Sequence, residues 1–292
     1  MKILITGASG FIGSTLARAL LEQGHSVDGW QHRKPVPKGV NPIRQLEQLN
    51  RHYDVLINLA GASIAGGLWT QARQQTLRAS RIDFTRDLLA QLGHNGFSVG
   101  HLISGSAIGY YGTGEQRVNE DSASGDDFSA QLCRDWEAAA MEAEPKVERL
   151  TLIRTGLVLG RDGGLLPTLA RPARFGMATR LSDGGQGQSW IHWQDYQAAI
   201  DWIIAKGLTG PVNLTAPNPV SQDGFNRELS QTLHRPYWMR LPGGPLRWTL
   251  GELSTLLLDG QYVEPKRLLD SGFEFRYASL AEALAQLYSV AR

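Results

Sequence analysis

The segment Gly7-Ala8-Ser9-Gly10-Phe11-Ile12-Gly13 has the spacing G-x-x-G-x-x-G and directly follows the apolar run Lys2 to Thr6. In such a turn the first glycine lets the chain reverse from strand to helix. The second lets backbone approach a diphosphate, and the third lets the helix pack closely on the strand. Unpaired amides at the positive end of the following helix suit an anion. Three glycines alone would serve equally well in ordinary tight turns. Their position between a buried strand and an amphipathic helix is what makes the turn a ligand site. Gly7, Ser9, Gly10, Phe11, Ile12 and Gly13 are therefore the first cofactor-binding candidates.

The next apolar run, Ser26 to Gln31, bears on which dinucleotide is held. A carboxylate about twenty residues after the glycines would hold the ribose 2′-hydroxyl of NAD. Asp28 is near that distance but stops short of the strand end, which carries Gln31, His32, Arg33 and Lys34. Two cations there suit a 2′-phosphate, which a carboxylate would repel. NADP(H) is the expected cofactor, with His32, Arg33 and Lys34 around its phosphate; the alternative is a solvated basic loop. Further polar candidates are Arg154, Gln186, Gln188 and His192, which could contact a substrate. Arg154 could equally form an ion pair, and His192 could be a satisfied structural histidine. Asp195 is expected to cap the helix that follows it, and Cys133, the single cysteine, to be a small buried hydrophobe.

These residues need a scaffold, and the first half of the chain alternates strand and helix. Lys2–Thr6, Ser26–Gln31, Asp54–Leu59, Val99–Ser104 and Leu150–Arg154 read as strands. Ser14–Gln23, Thr70–Leu92 and Ser129–Glu144 read as helices, and His32–Pro42 as loop. Strands separated by helical stretches imply βαβ units and a parallel sheet. The expected fold is α/β: a Rossmann-type doubly wound parallel sheet, its ligand crevice at the carboxyl ends of the strands. Ser189–Trp193 and Val212–Thr215 read as two later strands. The expected domains are a cofactor-binding domain over 1–160 plus about 189–217, and a smaller, mostly helical substrate lobe from about 161–188 and 218–292, where short helices alternate with prolines.

Composition excludes several classes. The net charge of +1, without a basic run, argues against a nucleic-acid partner. No apolar stretch approaches the about 20 residues needed to cross a bilayer, and Met1–Thr6 lacks the parts of a signal peptide. One cysteine allows neither an intrachain disulfide nor a cysteine metal cluster, so no metal is expected and a cytoplasmic setting is the simplest reading.

The opening Ile5-Thr6-Gly7-Ala8-Ser9-Gly10-Phe11-Ile12-Gly13 resembles the extended short-chain dehydrogenase/reductase superfamily, which includes nucleotide-sugar epimerases. More specific are Ser106-Ala107-Ile108-Gly109-Tyr110-Tyr111-Gly112, Cys133-Arg134-Asp135-Trp136-Glu137, Gly187-Gln188-Ser189-Trp190-Ile191-His192, and Val263-Glu264-Pro265-Lys266-Arg267-Leu268 with Gly272-Phe273. Together they are similar to YfcH-type epimerase-family proteins, a branch with a small C-terminal domain of unassigned role. The resemblance spans nearly the whole chain. It implies NADP(H) binding, places Asn58-Leu59-Ala60-Gly61 along the cofactor, and suggests a homodimer paired through the long helix.

Members of the superfamily usually use a Ser or Thr with a Tyr-x-x-x-Lys pair on one helix face, the tyrosine moving the proton. Ser106 fits the hydroxyl role, but the pair is expected near Gln131 and Asp135, and the helix over 129–144 has neither tyrosine nor lysine. Tyr262 and Lys266 have the spacing, yet Pro265 between them breaks a helix. Tyr110 and Tyr111, close to Ser106, are the replacement candidates, with packing aromatics as the alternative. Arg81 stands where a structural asparagine is usual. The expected function is an NADP(H)-binding oxidoreductase or epimerase-like protein acting on a polar small molecule. The alternative is a cofactor-binding sensor or partner-binding protein with little chemistry.

Overall fold

The computed structural model describes residues 1–64, 67–92, 94–242 and 260–289. The chain divides into two compact units. Unit 1 comprises Met1–Tyr110, Gln131–Arg154 and Ile200–Val212; unit 2 comprises Tyr111–Ala130, Thr155–Ala199 and Asn213–Arg292.

Unit 1 is built on β1 (Lys2–Thr6), β2 (Ser26–Trp30), β3 (Asn41–Ile43), β4 (His52–Asn58) and β5 (Ser98–Ala107). With Val147–Thr155 and Gly210–Leu214 these form one seven-stranded sheet, ordered Gly210–Leu214, Val147–Thr155, β5, β4, β1, β2, β3. Neighbours from β5 through β3 pair in parallel, and the expected α/β parallel architecture is what the chain adopts. The sequence order runs outward in both directions from β1, so a crevice opens beside it at the carboxyl ends. Ile3, Leu4 and Ile5 are fully buried, as strands covered on both faces require. One core cluster packs Leu56, Leu88, Leu102, Phe97 and Leu152 against the sheet.

Register aligns the strand ends: Thr6 lies beside Asn58, and Asn58 beside Ser104. The segments that follow, Gly7, Leu59–Gly61 and Gly105–Ser106, therefore emerge at one edge. β5 continues three residues beyond its expected end, to Ala107, so Ser106 is a strand residue rather than one in the loop after it. Helix α1 (Phe11–Glu22) begins three residues before its expected start, inside the glycine turn. The expected long helix is α2 (Gln71–Arg78) and α3 (Phe84–Ala90), joined by one π-helical segment, Ala79–Asp83. Arg81 sits in that segment. Helix α4 is Phe128–Met141.

Unit 2 carries the helices Leu166–Ala173, Gln222–Thr232, Lys266–Asp270 and Leu280–Tyr288. Its core includes Trp190, Phe225, Leu229, Leu280 and Leu284. Beside the helices run four two-stranded ladders, among them Leu157–Leu159 with Trp190–His192 in parallel. The short helices expected around Pro245 lie outside the described residues. Among the described residues no helix is long and apolar enough to cross a membrane.

Candidate functional site

Gly7 has φ 71°, and a Cβ there would lie 2.6 Å from the Leu59 carbonyl oxygen. A Cβ on Gly13 would lie 2.3 Å from the Gly7 carbonyl oxygen. Backbone alone fits at both positions, and side chains would close the cradle. The Gly10 amide donates to the Gly7 carbonyl (2.9 Å), which tightens the turn. Helix α1 then follows Gly10, its N-cap, with no side-chain cap and no acidic residue in its first turn. Its first amides and its dipole are left for an anion. The cradle fits the diphosphate of a dinucleotide.

Behind the turn the Thr6 hydroxyl donates to Asn58 Oδ1 (2.6 Å), and Asn58 Nδ2 donates to Thr85 Oγ1 (2.9 Å). Asn58 is fully buried; its side chain ties β1, β4 and α3 together rather than facing a ligand. The Ala60 amide donates to Thr6 Oγ1 (3.2 Å), which fixes the loop after β4. Arg81 supports that loop from beneath. Its Nη2 donates to the Ala62 carbonyl (3.0 Å), and a Cβ on Gly61 would stand 3.1 Å from its Cζ. Burial pulls the Arg81 guanidinium down to about 10.

The choice between the two cofactors turns on Asp28, which is 3% exposed. Its carboxylate accepts from the Tyr53 hydroxyl (2.6 Å), Asn50 Nδ2 (2.7 Å) and Asn41 Nδ2 (3.0 Å). Its side chain faces inward and is held by all three donors. His32, Arg33 and Lys34 are exposed. A pocket of about 330 Å³ beside the glycine turn is lined instead by Ser9, Ser14, Arg18 and Pro35–Lys38. The cations that line this pocket with Ser9 are Arg18 and Lys38. Both were missed from sequence, Arg18 because it reads as an ordinary polar face of α1.

At the end of β5 a second cluster forms within unit 1. The Ser106 hydroxyl donates to Glu137 Oε1 (2.6 Å). Arg154 Nε donates to the same oxygen (2.8 Å) and Nη2 to Oε2 (2.9 Å), a bidentate pair in which both side chains are 4% exposed. The Arg154 guanidinium stacks over the Tyr110 ring, 3.4 Å from its centroid. Arg154 therefore takes the ion-pair alternative, and its arm is not open to an anionic substrate. The thiol of Cys133 also faces Ser106, and full burial pushes it up to about 12.

Cys133 and Glu137, one helical turn apart, are the face of α4 that meets Ser106. The expected pair, Gln131 and Asp135, lies on another face: Gln131 Nε2 donates to Asp135 Oδ1 (2.7 Å), and Asp135 pairs with Arg78. In this cluster Glu137 is the residue that sequence reasoning did not single out, although it closes the motif Cys133-Arg134-Asp135-Trp136-Glu137 and stands four residues from Cys133.

The remaining candidates fall in unit 2. Tyr111 is buried and its hydroxyl donates to Asn213 Oδ1 (2.8 Å). His192 is fully buried. Its Nε2 meets Gln286 Oε1 (2.9 Å), its Nδ1 accepts from the Gln194 amide (3.2 Å), and its ring lies 4.0 Å from that of Tyr277. Burial lowers it to about 4, so it is a neutral structural histidine with both nitrogens engaged. Gln186 is buried, and its Nε2 donates to the Leu181 carbonyl (3.3 Å). Gln188 is half-buried in a short ladder with Val220. Asp195 does not cap its own helix; it accepts from the Arg276 and Tyr277 amides (2.9 Å each). Tyr262 donates to the Gly185 carbonyl while Lys266 pairs with Asp121 and Asp270, so that spacing does not form a catalytic pair.

The model of the NAD dependent epimerase/dehydratase family matches residues 3–214. The chain belongs to that family. Residues 241–287 match a domain of unknown function, DUF1731. The chain is 37% identical over 298 residues to the epimerase family protein YfhF of Bacillus subtilis (98% of each chain). It is 38% identical to the epimerase family protein MT2273 of Mycobacterium tuberculosis (97% of this chain, 96% of the other). Among solved structures, human epimerase family protein SDR39U1 with NADPH superimposes with a TM-score of 0.91 at 29% identity, covering 99% of both chains. As a member of this family the chain is an NAD(P)-binding, epimerase-like protein.

Proposed function

We propose that the chain is an NADP(H)-dependent oxidoreductase or epimerase-like enzyme acting on a polar small molecule. The observation behind the choice of NADP(H) is the inward, threefold-bonded carboxylate of Asp28. A carboxylate committed in this way is withdrawn from a ribose hydroxyl and from repelling a 2′-phosphate. The turn Gly7–Gly13, with Ser9, Phe11 and Ile12, holds the diphosphate. Leu59, Ala60 and Gly61 line the cofactor farther along. Arg18 and Lys38 hold the 2′-phosphate beside Ser9, and Arg33 and Lys34, with His32 next to them, add positive charge at the exposed rim. When bound, the nicotinamide supplies or accepts a hydride. The NADPH carried by the human relative supports the same reading.

Calorimetry on NADPH and NADH tests it. A lost charge-assisted hydrogen bond is worth about 1.5–3 kcal/mol, so Arg18→Ala or Lys38→Ala should weaken NADPH by roughly 10- to 100-fold. NADH should change little. Equal losses for both cofactors would remove the basis for the assignment.

A second reading, a cofactor-binding sensor with little chemistry, is favoured by the absence of tyrosine and lysine from α4. Tight NADPH binding with no turnover of carbonyl compounds or nucleotide sugars would select it.

A further inference from the structure

Gly29 stands inside β2, between the buried Asp28 and the half-buried Trp30. A glycine in a strand interior gives up packing, and it often marks a place where another segment comes close. The backbone of Gly29 is extended, outside the left-handed region that favours glycine. What the residue supplies is therefore space. A Cβ there would lie 2.7 Å from Val40 Cγ1, 2.9 Å from Val36 Cγ1 and 3.1 Å from the Ala8 Cβ. Three side chains meet over its bare Cα: Ala8 from the glycine turn, and two valines from the segment between β2 and β3.

Segment 31–40 is closed at its base and seated at its tip. The Gln31 amide donates to the Ile43 carbonyl (2.8 Å), and Gly29 and Trp30 pair with Pro42 and Ile43 of β3. Asp28, whose side chain stands on the opposite face of the sheet, accepts from Asn41 Nδ2 (3.0 Å). Val40 is 6% exposed, and its amide donates to the Pro37 carbonyl (3.1 Å). A Cβ on Gly39 would stand 3.1 Å from Leu21 Cδ1, so the tip rests on α1, the helix that carries Arg18. Lys38, between the two valines, lines the pocket of about 330 Å³ together with Arg18.

We propose that Gly29 sets the preference for NADP(H) over NAD(H). By keeping its face of β2 bare, it lets Val36 and Val40 seat the loop where Lys38 meets the ribose 2′-phosphate. This rests on the reading that the phosphate lies beside Arg18 and Lys38. Gly29 is a positioning residue, buried beneath the loop and not among the residues that line the pocket. A methyl at this position must displace a neighbour. Ala8 is the farthest of the three contacts, and it is fully buried in a turn closed by the Gly10 amide on the Gly7 carbonyl (2.9 Å). Val36 is only half-buried, and His32 to Pro35 before it are exposed. The loop is therefore what yields. Lys38, two residues from each valine, moves with it while the diphosphate cradle stays, and a charge-assisted hydrogen bond depends on that placement.

The test is calorimetry of NADPH and NADH on wild type and Gly29→Ala. The NADPH Kd should rise about tenfold or more, the value of one charge-assisted hydrogen bond, while the NADH Kd stays within about threefold. A glycine that served the fold alone would, when replaced, weaken both cofactors alike, so the ratio of the two constants is the deciding readout. Should Gly29→Ala not fold, Val36→Ser carries the test. It withdraws one of the two valines that seat the loop without adding an atom near the turn, and the ratio should fall by about threefold or more. A wild type that prefers NADPH, with a ratio unchanged in the variant, overturns the role of Gly29 and leaves the cofactor reading in place. A wild type that binds both cofactors equally overturns that reading and the role of Gly29 with it.

Discussion

His101, on β5, is 1% exposed, and its Nε2 lies 2.7 Å from Thr151 Oγ1. The Thr151 hydroxyl donates to the Leu208 carbonyl, so Nε2 of the histidine must be the donor between them. Nδ1 is buried and, among the described residues, has no partner. A second proton would create a buried donor with nothing to accept it, beside Arg149, and burial accordingly lowers the ring from 6.5 to about 4. The folded-state value is depressed, so the cost appears as pH falls: the unfolded chain binds a proton below about 6.5 that the folded chain refuses until about 4. At about 1.4 kcal/mol per pH unit, stability should fall by about 2 kcal/mol between pH 7 and pH 5, less with residual solvent screening. The assay is urea denaturation of wild type and His101→Gln at both pH values, since subtraction cancels the other titrating groups. The stability of wild type relative to His101→Gln should drop by about 1–2 kcal/mol at pH 5. A difference that stays constant within about 0.5 kcal/mol, or a ring proton signal titrating near the ordinary histidine value, would refute the reasoning.

Two further outcomes follow from packing. Gly13→Ala places a methyl 2.3 Å from the Gly7 carbonyl oxygen and 3.0 Å from the Ala8 Cα, backbone atoms that cannot swing aside, so NADPH affinity should fall at least tenfold by calorimetry, and urea titration should show a loss of more than about 1 kcal/mol. Arg154→Met leaves Glu137 buried without its cation, keeping only the Ser106 hydroxyl, and should cost about 3–5 kcal/mol in urea denaturation, whereas Glu137→Leu with Arg154→Met should recover most of that loss.

The glycine turn and the alternation of strands and helices were legible in sequence, because each depends on neighbours within a few residues; β3 (Asn41–Ile43) was not, because the stretch His32–Pro42 reads as loop and only its pairing with β2 makes Asn41–Ile43 a strand. The π-helical segment at Arg81 and the extension of β5 through Ser106 were not, since tertiary contacts set both. The face of α4 that meets Ser106 shows the limit most plainly. Counting along the chain selected Gln131 and Asp135, two residues from Cys133 and Glu137; at about 100° per helical residue, two positions turn a side chain about 200° away. Asp28 teaches the same lesson: its distance from the glycines was visible, but its withdrawal depends on Asn41, Asn50 and Tyr53, which pack around it only when β2, β3 and β4 assemble.

By itself the sequence determined that this chain would fold as a parallel α/β sheet with a diphosphate cradle after its first strand, because glycine spacing and apolar period act locally. Only the tertiary structure decided which side chains face that cradle and which are consumed in holding it together. Ser106 and Glu137 are 31 residues apart, and no local rule specifies the rotation of one element against another.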